Sequence, residues 1–219
     1  MIELRDLDLD APDGRRLLES LELAVPRGGN LLITSPRGRG KSRLLKVIAG
    51  TERPACGTVR VGGRQIWPGD GVLSLIGQVR LGFAFASGGL LSNLSLRENV
   101  ALPLRFLGLS GADLARRVDG SLERLGLLGV ADLRPHALSA SARKHGNLAR
   151  VLALEPELVL LDDPLEGHDA ADRALALDLV QAWAADPACT LLIAAEGPHA
   201  FAHLEAERFH LSPAPLESP

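Results

Sequence analysis

At 219 residues, 46% hydrophobic and 23% charged, the chain is long enough to bury a sizeable core and suits one domain, or one domain with a lobe. A net charge of -3 excludes the basic field typical of nucleic-acid binders, and no nucleic-acid partner is expected. No apolar run reaches the ~20 residues of a membrane-spanning helix, and two isolated cysteines, Cys56 and Cys189, match no metal spacing and point to a reducing compartment.

The chain opens MIELRDLDLD, an alternation expected of a half-buried strand and not of a signal peptide or anchor. Residues 17–25 alternate in the same way, with Asp13-Gly14 as the turn between the two strands. Asn30–Thr34 is a short apolar strand, followed by SPRGRGKS at 35–42 and the helical pattern RLLKVIAG, with Gly50 as its stop. TVRV at 58–61 and Gly62-Gly63 predict a further strand and turn, completing a small antiparallel sheet. From about Leu96 to Arg150 apolar residues recur at helical spacing (Leu114, Val118, Leu122, Leu125), which predicts an inserted helical lobe, placed at about 88–145. Leu158–Leu161 is a continuous apolar run ending in Asp162, the pattern of a parallel strand buried on both faces. A helix over 172–185 and a second buried strand, Thr190–Ala195, follow, and the proline-rich tail from about 212 to 219 is expected to be loose.

The octapeptide Ser35-Pro36-Arg37-Gly38-Arg39-Gly40-Lys41-Ser42 lies between a strand and a helix, the setting in which such a loop cradles phosphates. Gly38 and Gly40 let the backbone wrap an anion with its N–H groups, and the helix N-terminus adds a favourable dipole. Lys41 is expected to reach the outer phosphates of a nucleotide, and Ser42 to ligate magnesium with Asp162 as second partner. Ser35 replaces the usual first glycine, which an ordinary backbone conformation permits. Arg37, Arg39 and Arg43 either add to nucleotide affinity or decorate the surface.

With the stretch LSASARKHGNLARVLALEPELVLLDDP at 138–164, GLLSNLSLRENVALPLRF at 89–106 and EGHD at 166–169, the chain resembles the ATP-binding cassettes of ABC transporters over residues 2 to about 211. The resemblance implies an α/β P-loop NTPase (RecA-like) core with a small antiparallel β subdomain and an inserted α-helical subdomain, as a single nucleotide-binding domain. It implies ATP and Mg2+ as ligands, pairing of cassettes as a homodimer or heterodimer, and a permease on a separate chain. The protein is therefore expected to be cytoplasmic, held at the inner face of the membrane. NVALPLRF and the GHD of 167–169 are similar to the lipid-trafficking (Mla-type) branch.

The departures from the family pattern fall at its working positions. The glutamine of the Q-loop corresponds to Ala86, and the signature motif to Leu138 and Ser139 followed by Ala140, Ser141 and Ala142. The catalytic glutamate is Asp163, the switch histidine is Glu196, and no aromatic stands at Leu9–Pro12 to stack on adenine. Asp169 keeps the D-loop aspartate. A shortened carboxylate and an acceptor facing phosphate oxygens both predict slow or absent hydrolysis, so the alternative to a transport ATPase is a nucleotide-binding but silent partner. His199 is the one candidate to rescue the switch position; His168 is expected to be a solvated loop residue, and Trp67 to pack in the small sheet. A small-molecule kinase or GTPase does not account for 138–169, and no guanine-reading motif is present.

Overall fold

The computed structural model describes residues 1–211, so the tail at 212–219 lies outside the described residues. Strands β1 (Ile2–Asp10), β2 (Arg16–Val25), β4 (Cys56–Val61) and β5 (Arg64–Trp67) form an antiparallel sheet in the order β2-β1-β4-β5. The second sheet has the order β6-β7-β8-β3-β9 and is parallel throughout, built from β3 (Asn30–Thr34), β6 (Leu81–Ala84), β7 (Leu158–Asp162), β8 (Thr190–Ala195) and β9 (Glu207–His210). Helix α1 (Lys41–Ile48) follows β3. Helices α2 (Leu96–Phe106), α3 (Gly111–Arg124) and α4 (Ala140–Ala153) separate β6 from β7, and α5 (Ala170–Ala185) separates β7 from β8.

The apolar runs of the parallel strands split by period two, as strands covered on both faces must. Leu158, Leu160 and Leu192 join α1 and the antiparallel sheet in one core, while Val159, Leu161, Leu191 and Ile193 join α2 to α5 in the other. Truncating any of these leucines to alanine costs about 2–5 kcal/mol, because both sides of the sheet are already filled. Two glycines permit close approaches. Gly50 ends α1 at φ 73, where a Cβ would strike the backbone of Val72. On α4, a Cβ at Gly146 would strike Leu96 of α2.

Three strands carry no clear sequence signal: β5, β6 and β9 have four residues each and are too short for periodicity to register. Helix α4 runs on to Ala153, past the 145 expected as the end of the helical lobe. Helix α2 starts at a capping box: Ser95 accepts from the Glu98 amide, and the Glu98 carboxylate accepts from the Ser95 amide at 2.7 Å. That S-x-x-E signature was legible and is what fixes the helix start.

Candidate functional site

Parallel pairing places the C-terminal ends of β3, β7 and β8 side by side. Thr34 pairs with Ala195 and Asp162 with Ala194, so Ser35, Asp163 and Glu196 leave the sheet at one edge, where open α/β sheets bind ligands. Loop 35–40 turns there into α1. Gly38 and Gly40 take φ 75 and 92, conformations open to glycine at little cost, while Ser35 is absent from the positive-φ residues and fits as a serine. No side chain caps α1 and its first turn has no acidic residue. Its leading N–H groups and dipole are left for an anion.

Lys41 is almost fully buried and curls back over the loop. Its Nζ donates to the Ser35 carbonyl at 2.6 Å, the Pro36 carbonyl at 3.1 Å and the Ser35 hydroxyl at 3.3 Å. Residues 37–43 line a cleft of about 380 Å³, walled on the other side by the β1–β2 hairpin through Ala11, Pro12, Asp13, Arg15 and Leu17. The hairpin thus meets the loop with apolar Ala11, Pro12 and Leu17 and charged Asp13 and Arg15, and with no aromatic ring. Pro36 is not among the residues lining the cleft, and its carbonyl accepts from Lys41.

Ser42 Oγ donates to Asp162 Oδ1 at 2.8 Å. Burial pushes the Asp162 carboxyl above its ordinary range, opposed by the Ser42 hydroxyl, the Lys41 charge and the backbone of Ala86. These two hard oxygen donors side by side suit magnesium, which takes few protein ligands and keeps the remainder as water and phosphate. Ala86 reaches this point through its backbone and brings only a methyl group. Asp163 lines the cleft at φ 43; burial raises its carboxyl, Lys41 pulls it down, and Asp162, Glu166 and Glu196 push it further up.

Glu196 does not stand as a bare acceptor. Arg37 Nε donates to Glu196 Oε1, and Arg37 Nη2 donates to Glu166 Oε1, so the repulsion expected from Glu196 is offset by a cation from the phosphate loop itself. Of the other two arginines, Arg43 pairs with Glu52 and Arg39 lines the cleft. A second cleft of about 170 Å³ is lined by Arg37, Asp163, Glu166, Glu196, Ala200 and Phe201 among others. His199 opens the short 3-10 turn His199–Phe201 beside this cleft, whose lining includes Ala200 and Phe201.

At the start of α4, Ser139 Oγ accepts from the Ala142 amide at 3.0 Å and Ser141 donates to Asp172; Ala140 opens the helix. Asp169 caps α5, accepting from the Asp172 amide at 2.9 Å. Trp67 packs as expected, its indole donating to the Val47 carbonyl at 3.0 Å.

His168 corrects the expectation of a solvated residue. Its ring lies 4.8 Å from that of buried His145, and both of its nitrogens are shielded from solvent without a well-formed hydrogen bond, the Leu165 backbone being only a weak partner. Sequence offered no signal for this, because the neighbour is 23 positions away on another element. Burial, followed by the charges of His145 and Lys144, holds His168 below its ordinary 6.5. As pH falls below about 6.5, the unfolded chain takes up a proton that the folded one refuses, and stability drops. His168→Leu removes two poorly satisfied, shielded polar atoms and is expected to add about 1 kcal/mol, or roughly 2–4 °C in Tm. It should also flatten the loss of stability between pH 7 and 5 in thermal melts.

Comparison with known proteins agrees with this geometry. Residues 18–166 match the family model described as ABC transporter. The lipoprotein-releasing system ATP-binding protein LolD of Chromohalobacter salexigens is 31% identical over 195 residues, 89% of this chain and 82% of that protein. The intermembrane phospholipid transport system ATP-binding protein MlaF of Haemophilus influenzae is 33% identical over 83% of this chain and 69% of its own length. The energy-coupling factor transporter ATP-binding protein EcfA of Methanothermobacter thermautotrophicus is 35% identical over 77% of this chain, which spans only 54% of that protein. Among solved structures, a bacterial ABC transporter cassette determined as a dimer superposes with a TM-score of 0.87 at 25% identity, covering 96% of this chain and 94% of the other. With the phosphate loop, the signature helix and the paired aspartates all inside the matched span, the chain belongs to the ABC transporter family as an ATP-binding cassette.

Proposed function

We propose that this chain binds Mg-ATP in loop 35–42 and couples it to a membrane permease carried on a separate chain, with slow hydrolysis. One observation carries this reading: an uncapped helix N-terminus, a buried lysine and a serine–aspartate oxygen pair converge at the edge where β3, β7 and β8 end. In it, the backbone of Gly38 to Ser42 and the Lys41 ammonium hold the phosphates, while Ser42 and Asp162 hold magnesium. Magnesium, when bound, supplies neutralisation of phosphate charge. Residues 1–211 then act as one nucleotide-binding unit. Ser139, Ala140 and Ser141 of the signature turn, with Asp169, face a second cassette, of this chain or a different one. The relatives carry names from transport systems, and no helix among the described residues is long and apolar enough to cross a membrane. The transport systems named for the relatives support attachment to the cytoplasmic face of a membrane through a permease.

A nucleotide-holding partner with no turnover is the second reading. It is favoured by Asp163, one methylene shorter than glutamate, and by Glu196, tied to Arg37. Calorimetric titration tests the shared core. Mg-ATP is expected to bind at one site per chain, and excess EDTA or Ser42→Ala is expected to weaken that binding about tenfold or more, the loss of one charge-assisted contact. Absence of any ATP binding would sink both readings.

A further inference from the structure

The geometry points to Arg37 as the residue that distinguishes a nucleoside triphosphate from a diphosphate, resting on the reading of loop 35–42 as a nucleotide site. Arg37 belongs to the loop by sequence, yet its side chain leaves the turn and joins the ends of two other segments: Glu166 after β7 and Glu196 after β8. It lines both clefts, as does Asp163, and so stands where the phosphate loop opens toward the ends of β7 and β8. The outermost phosphate of a triphosphate, which Lys41 reaches from the loop side, has this guanidinium at hand from the side of β7 and β8.

The chemistry fits the position. A guanidinium has five N–H donors in a planar fork suited to phosphate oxygens. The two carboxylates take Nε and Nη2, and no protein partner is recorded for Nη1 among the described residues. Arg37 is 72% exposed, with Glu166 at 44% and Glu196 at 50%. Exposed ion pairs contribute little to stability, so the two glutamates aim the guanidinium without binding it tightly. A phosphate oxygen can engage it at small cost, and charge-assisted, fork-shaped contacts to phosphate are the stronger kind. Glu166 and Glu196 are positioning residues here: they fix where the guanidinium sits between the two clefts.

The test compares Mg-ATP and Mg-ADP on the full chain by calorimetry, for the parent, Arg37→Ala and Arg37→Lys. Because Arg37 is exposed, both variants are expected to melt within a degree or two of the parent, a range set by small surface effects. Arg37→Ala should weaken ATP about 10- to 100-fold and leave ADP within about twofold, so that the ratio of the two constants collapses. Arg37→Lys should recover only part of the ratio, because an ammonium cannot bridge two carboxylates and a phosphate in one plane. Equal weakening of ATP and ADP would overturn the proposal in favour of a general electrostatic effect, and so would an unchanged ATP constant. If the parent binds neither nucleotide, the nucleotide site itself fails, which a parent that binds both distinguishes from failure of the Arg37 assignment alone.

Discussion

Lys41→Ala is expected to weaken ATP binding by about 100-fold or more, the loss of one or more charge-assisted hydrogen bonds in a nearly buried setting. The same ammonium that would reach the phosphates now fills the loop, donating to Ser35 and Pro36 carbonyls and to the Ser35 hydroxyl. Ser35 is fully buried, so truncation also strands a carbonyl without a donor, and stability should fall by about 1–3 kcal/mol. Lys41→Met separates the two consequences. It keeps the aliphatic packing of the side chain while removing the charge, so binding should be lost as in the alanine variant with a smaller drop in Tm. Nucleotide titration and thermal melts on both variants check this; undiminished ATP affinity in Lys41→Met would refute the role given to the ammonium.

Asp163→Glu is expected to raise steady-state phosphate release by roughly 100-fold over the parent rate, the factor that about 1 Å of misplacement can cost. Asp163 lines the cleft beside Lys41, and burial holds its carboxyl above the ordinary range, which suits a group that must accept a proton. What it lacks is reach. The backbone at φ 43 tolerates aspartate better than glutamate, so part of the gain should return as a lower Tm. Adding Glu196→His replaces a carboxylate by a donor and should raise turnover further, though less than a product of separate factors, since groups that act together are not additive. If neither variant exceeds the parent, the shortened carboxylate is not what limits hydrolysis, and the silent-partner reading gains.

The sequence carried most of the site because its motifs are local. A strand, eight loop residues and a helix are contiguous, and the run Leu158–Asp162 announces its own burial by being apolar without interruption. The match of Ala86, Asp163 and Glu196 to working positions came instead from the resemblance to the family, and it stays a proposal. Short strands escaped the local patterns: β6 and β9 acquire their structure from pairing with β7 and β3, not from their own four residues. The helix start at Ser95 is legible in its capping box, since Ser95 and Glu98 are three positions apart.

What no local pattern could announce is which distant charges and rings meet. Arg37 lies 129 and 159 positions from the carboxylates that hold it, and the His168 ring lies 4.8 Å from a ring on α4. Taken alone, Glu196 read as a repulsive acceptor and His168 as a wet loop residue, and both readings changed once the chain closed on itself. The amino-acid sequence thus determined the elements and the phosphate loop, since propensity, periodicity and glycine spacing act between neighbours. Only the tertiary structure decided the burial and pairing of the charged groups, because those depend on partners that parallel strand order brings to one edge.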